Sequence, residues 1–160
     1  MVNHVRRFGV LVVLGALLLT VLAACGGTSG ATPEARVEGF MKDINTAFND
    51  ANIKDAAKQE EWADKLSKYF IPTEQAAQKE SIKRGLVGVG SGFLTMTIEN
   101  VKVEKISESG DMAEVKIVSG KIIMDAAGQK QEQDLATAGI TGSSPNPKLQ
   151  KIDGTWYIIP

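Results

Sequence analysis

The sequence predicts an α+β fold, with N-terminal helices packed on a curved antiparallel sheet. Three observations carry that prediction. Between positions 33 and about 85, apolar residues recur at spacings of three and four, the period of a helix with one buried face. From Phe93 onward the period falls to two, as in strands with one covered side. Turn residues then punctuate the chain at short intervals, which is hairpin chemistry. Helices followed by a run of strands describe layered packing rather than alternating parallel units.

Composition limits the function classes. The chain has 160 residues, 43% apolar and 23% charged, an ordinary globular mixture. Of its 18 Lys and Arg residues, Arg6 and Arg7 lie in the first seven positions, so residues 25–160 carry 16 basic against 19 acidic side chains, a net −3. With no basic run longer than Lys83-Arg84, nucleic acid is not an expected partner. One Cys and one His exclude a disulfide framework and a Cys/His zinc site, and nothing in the sequence asks for a metal or cofactor.

Residues 1–24 combine a short basic segment, an apolar stretch over 8–21 and the small residues Ala23 and Ala24, the layout of a secretory signal. The uncharged run from Phe8 to Ala24 spans 17 residues, short of the ~20 that a membrane-spanning helix typically needs. Leu22-Ala23-Ala24-Cys25 resembles the lipobox of bacterial lipoproteins. That resemblance implies cleavage before Cys25 and a diacylglyceryl thioether on it, holding the chain on the extracytoplasmic side of the cell membrane. Two acyl chains suffice for stable anchoring, at ~0.8 kcal/mol per buried CH₂. The alternative for a lone Cys, a redox or catalytic thiol, fits poorly at the end of an apolar stretch. Cleavage there removes His4, leaving a mature domain without His and with its only Cys lipidated, so triad and imidazole chemistry lose an essential residue. Residues 25–32 then read as lipidated Cys and flexible tether, and 33–160 as one α+β domain.

Within the domain, Thr32-Pro33-Glu34 is a helix start with a capping hydroxyl, Pro at the first position and an acid in the first turn. Val37, Phe40, Met41, Ile44, Ala47, Phe48 and Ala51 share one face, predicting a helix over 33–51 with Asp43 and Asp50 at its flanks and Glu38 opposite. Trp62, Leu66, Tyr69 and Phe70 share the face of a second amphipathic stretch. Those aromatics are either a ligand wall or, more commonly, core. Pro72-Thr73-Glu74 opens a third helix, expected to end at Gly85. The glycines at 85, 88, 90 and 92 resemble a phosphate loop only superficially, because a helix precedes them and a strand follows. They predict a helix stop and a flexible or bulged strand entry.

Leu94, Met96 and Ile98 alternate, and after Asn100 the phase shifts to Val101 and Val103, predicting a bulge or bend. After a turn at 107–111, Ala113, Val115 and Ile117 alternate and the strand continues past Gly120 to Met124. Asp125–Gly128 is a turn, a third strand is expected over 131–140, and 142–147 is a loop. Lys148–Ile152 and Thr155–Ile159 flank Asp153-Gly154, a tight hairpin pair. Alternation makes Trp156 core and turns Tyr157 outward, where it either marks an interaction face or covers the sheet.

This order, closing on Lys151-Ile-Asp-Gly-Thr-Trp-Tyr-Ile158, resembles the nuclear transport factor 2-like superfamily, particularly its lipoprotein branch. The resemblance implies a cone-shaped domain whose sheet wraps the long helix and leaves a cavity at the open end. Phe40, Met41, Ile44, Phe48, Trp62, Leu66 and Trp156 are the candidates to line it. Catalytic members place an Asp there, often with His or Tyr. Here Glu114 and Asp134 fall out of phase with the inward strand positions, leaving Asp43 and Tyr69 as weak catalytic candidates. The leading expectation is a membrane-anchored, non-catalytic binding module for a small apolar ligand or an envelope protein. The alternatives are a cavity enzyme of isomerase, dehydratase or cyclase type using a carboxylate and a Tyr, and a structural accessory domain of the envelope.

Overall fold

The computed structural model describes residues 31–126, 128–138 and 146–160. Cys25, the expected signal and most of the 142–147 loop lie outside the described residues. Helix α1 (Pro33–Phe48) begins as its sequence demands, with Thr32 Oγ1 accepting from the Ala35 amide at 3.2 Å. Such a cap contributes ~1 kcal/mol. It stops three residues before the expected end. Asn49 folds back there, its side-chain amide donating to the Asn45 carbonyl at 2.8 Å. Helix α2 (Ala56–Ser67) also ends early. Tyr69 and Phe70, expected on its face, lie just beyond it, and Phe70 forms a bridge to Ile158.

Helix α3 (Gln75–Gly90) overturns the expectation of a stop at Gly85, since the glycine-rich run is helical through Gly90. Leu86 and Val89, three residues apart, are both buried, at ~1.5–3 kcal/mol each. That burial offsets the ~1 kcal/mol each helical glycine costs. Gly90 also fits where a larger residue would not: a Cβ there would stand 2.8 Å from the Ile53 carbonyl oxygen.

Strands β1 (Leu94–Ser109) and β2 (Met112–Ala126) form a long antiparallel hairpin. The expected bulge is present: the register shifts between Glu99 and Lys102, and Asn100 has φ 54°. Opposite it, Gly120 has φ 142°, and a Cβ would meet Leu135 Cδ1 at 2.6 Å. Strand β3 is Gln129–Asp134, and helix α4 (Leu135–Ala138) follows it, so the predicted strand over 131–140 is corrected. Asp134 causes the change: its Oδ1 accepts from the Ala136 amide at 2.8 Å and its carbonyl accepts from the Thr137 hydroxyl at 2.9 Å. These local bonds compete with the ladder and set Leu135, 1% exposed, over Gly120. Strands β4 (Lys148–Ile152) and β5 (Thr155–Ile159) close the chain, joined by Asp153 and Gly154 at φ 49° and 81°, a turn matched to strand twist.

The sheet runs β1-β2-β4-β5, with β3 sharing the β4 side of β2 further along, and it curls into a half-barrel around the helices. A single core joins Val37, Phe40 and Met41 of α1 to Leu66, Leu86, Val115, Leu149, Trp156 and Ile158. Parts of the β5 and β1 edges of the sheet are covered, while β3 is exposed along its whole length. Tyr69 and Ile71 exchange backbone hydrogen bonds with Ile158 on β5. On β1, side chains of α1 and of Asn49 just beyond it do the same work: Asn45 Oδ1 accepts from Ile98 N at 2.7 Å, Glu38 Oε1 from Val103 N at 3.1 Å, and the Asn49 side chain donates to Met96 O at 3.2 Å. The stretches satisfied in this way are closed to strand pairing with other chains.

Candidate functional site

Asp43 and Tyr69, 26 residues apart, are brought together: the Tyr69 hydroxyl donates to Asp43 Oδ2 at 2.7 Å, and Lys65 Nζ lies 3.0 Å from Oδ1. Lys65 also stands 4.7 Å from the Trp62 ring centre, and the Trp62 indole N–H donates to Asp50 Oδ2 at 2.7 Å. That bond, with a second from the Asn52 amide, lowers the Asp50 pKa below the usual carboxylate value. Carboxylate, phenol, ammonium and indole thus form one chain along the α1/α2 seam. Both oxygens of Asp43 are engaged, one by a cation. A general base instead needs a free lone pair within reach of a bound substrate, and Asp43 lines neither hollow described below.

Beside this chain lies a buried cation. Arg36, 4% exposed, donates from Nε to the Tyr69 carbonyl at 3.4 Å and from its terminal nitrogen to the Lys68 carbonyl. Its guanidinium carbon lies 4.4 Å from the Tyr69 ring centre and 5.1 Å from that of Tyr157. Burial pulls its pKa down, opposed by the two tyrosines. Arg36 therefore ties the end of α2 to α1 at the point where β5 bonds the same segment. The half-buried Tyr157 covers this cation, while Trp156 is core at 1% exposed.

The residues expected to line a cavity separate. Phe40, Leu66 and Trp156 belong to the buried core, with Phe40 edge-on to Tyr69 and Phe70 at 5.5 and 5.2 Å. Ile44, Phe48 and Trp62 pack partly buried against that core. Met41 borders a groove of about 350 Å³ between α1 and β1. Its other walls are Glu38, Lys42, Asn45, Ile98, Asn100 and Val101. A smaller hollow of about 220 Å³ lies at the far end of the β1–β2 hairpin, among Ser107, Ser109, Met112, Ala113, Glu114 and Lys148.

The larger groove has a physical origin. Asn45 and Glu38 fasten α1 to β1 on either side of the bulge, and between those clamps Asn100 and Val101 leave the ladder. Its floor is apolar, from buried Met41 and Ile98 with half-buried Val101. Its rim carries unengaged polar groups: Lys42 Nζ, Asn45 Nδ2, the second oxygen of Glu38 and the Asn100 side-chain amide make no hydrogen bond among the described residues. Sequence reasoning missed Glu38, Lys42, Asn45 and Asn100 as a group. The available signals were an Asn inside an apolar helical face and an Asn, which tolerates positive φ, at a strand phase shift. Among the described residues no three His, Cys, Asp or Glu side chains gather to hold a metal, and no helix is long and apolar enough to cross a membrane.

Helices in front of a strongly curled antiparallel sheet make an α+β half-barrel, the helix-then-sheet architecture the sequence predicted. No family model matches the chain, and no curated protein matches it. It is similar to the crystal structure of a scytalone dehydratase-like protein from Novosphingobium aromaticivorans, with 18% identity over 77% of this chain and 76% of the other, at a TM-score of 0.34.

Proposed function

We propose that this chain is a lipid-anchored binding module on the extracytoplasmic face of the cell membrane, holding a small, partly apolar ligand without chemically changing it. The groove between α1 and β1 carries this reading, because it joins an apolar floor to polar groups that the fold leaves unused. At about 350 Å³ it lies within the range of roughly 300–1,000 Å³ typical of small-molecule sites. The anchor rests on the lipobox resemblance at Cys25 and the apolar stretch before it.

The test has two arms. Radiolabelled palmitate fed to a bacterial host should label the chain, and Cys25→Ala should abolish the label; intact mass with Met1 retained would refute the anchor. Native mass spectrometry of the detergent-extracted protein, with pull-downs from solubilised membranes, should reveal a bound molecule or partner. Empty results in both would refute the binding module.

A second reading, a cavity enzyme of isomerase, dehydratase or cyclase type, draws on the 2.7 Å bond between the Tyr69 hydroxyl and Asp43. Asp43→Asn and Tyr69→Phe separate the two. For a binding module both variants leave ligand occupancy unchanged, and the bound molecule has the same mass as in the wild type. Accumulation of a different, unconverted molecule in Asp43→Asn would favour the enzyme.

A further inference from the structure

We infer that the α1/β1 groove selects a zwitterion with an apolar side chain, of the class of a free apolar α-amino acid or a short apolar peptide. This rests on the groove being the binding site. Glu38 and Lys42 stand one helical turn apart on the same rim, the spacing at which opposite charges on a helix normally meet. They form no ion pair with each other, because Glu38 is turned toward β1 by its bond to Val103 N at 3.1 Å and Lys42 has no acidic partner among the described residues. A carboxylate and an ammonium, side by side and unneutralised, match the two ends of a zwitterion.

The remaining groups fit the same ligand. Asn45 Nδ2 is fixed in direction, because Oδ1 of the same amide is held by Ile98 N at 2.7 Å. With Lys42 it offers two donors to one carboxylate, a stronger arrangement than a single contact. Glu38 accepts from the ammonium with its free oxygen. Met41, Ile98 and Val101 form an apolar floor beneath, with Asn100 at the bulge supplying an amide for a peptide bond or a second carboxylate contact. An uncharged lipid-like molecule would leave the Glu38 and Lys42 charges unused, and an anion alone would face Glu38. The zwitterion uses both charges and the floor.

The experiment is isothermal titration of the full-length chain in detergent micelles with L-leucine, L-leucyl-L-leucine, N-acetyl-L-leucine, L-leucinamide and N-acetyl-L-leucinamide. Binding of the free amino acid or dipeptide is expected, with a tenfold or greater loss when either the amine or the carboxylate is blocked. Glu38→Gln, which keeps the acceptor for Val103 N, and Lys42→Met should each weaken that binding at least tenfold. Lys130→Met on β3 should leave it unchanged. Equal binding of the doubly blocked analogue would overturn the zwitterion while leaving the binding groove in place. If no probe binds but native protein carries another molecule or partner, this inference falls and the binding module stands; if native protein is also empty, both fall.

Discussion

Replacing Arg36 by Met removes a buried charge while keeping the unbranched stem that fills its space. Two hydrogen bonds are lost, to the carbonyls of Lys68 and Tyr69, along with the contacts to the Tyr69 and Tyr157 rings. The Tyr69 carbonyl keeps a partner, since it also accepts from Ile158 N at 2.9 Å, so the Lys68 carbonyl bears the main loss. A hydrogen bond from a charged donor contributes ~1.5–3 kcal/mol, and a desolvated cation–π contact adds up to ~2 kcal/mol. Desolvating the guanidinium opposes both, which is why its pKa is lowered. The balance is a loss of about 3 kcal/mol, or a fall in Tm of about 10 °C for a domain of this size. Urea unfolding followed by tryptophan fluorescence measures it, with the m-value unchanged. The cycle with Tyr157→Leu should return a coupling of about 1 kcal/mol. Arg36→Met as stable as the wild type, or more so, would falsify the argument that this cation fastens α2 to α1 and β5.

Other perturbations give separate checks. Gly88→Ala meets nothing within 4 Å and should stabilise the domain by ~0.5–1 kcal/mol, whereas Gly90→Ala drives a Cβ against the Ile53 carbonyl and should destabilise it; thermal denaturation of both separates the signs. Asn45→Ala strips the acceptor from Ile98 N and should cost ~1–3 kcal/mol, seen as faster hydrogen exchange at Ile98 and neighbouring β1 amides. Lys79 and Lys83, both 2.5 Å from the Glu60 carboxylate, hold its pKa at about 2 against an ordinary 4.5. A depressed carboxylate pKa contributes stability above about 4.5 that disappears as pH falls toward about 2. The Tm gap between wild type and Glu60→Gln should therefore close across that window and shrink with added salt. A gap that widens as the pH falls would contradict the assignment.

Much of the fold was legible because its signals are local. The helix start at Thr32-Pro33-Glu34, the bulge at Asn100 and the hairpin at Asp153-Gly154 each depend on the conformational preferences of a few adjacent residues. Beyond the early ends of α1 and α2, two elements were misread where a local rule met a stronger contact. The glycine run stayed helical because Leu86 and Val89 are buried, and β3 gave way to α4 because Asp134 captured nearby backbone and side-chain donors.

The amino-acid order by itself determined that helices precede a bent antiparallel sheet, that Trp156 lies inside, and that residues 33–160 contain neither His nor Cys. Tertiary structure alone decided which polar groups are used up and which are left. It gave Asp43 to Tyr69 and Lys65 across the α1/α2 seam, spent one oxygen of Glu38 on Val103 and the amide oxygen of Asn45 on Ile98, and left Lys42 between those clamps without an acidic partner among the described residues. Helical and strand periods repeat within a few residues and can be read along the chain. A hydrogen bond between residues 65 positions apart depends on how the sheet curls, which the packing of the whole core sets.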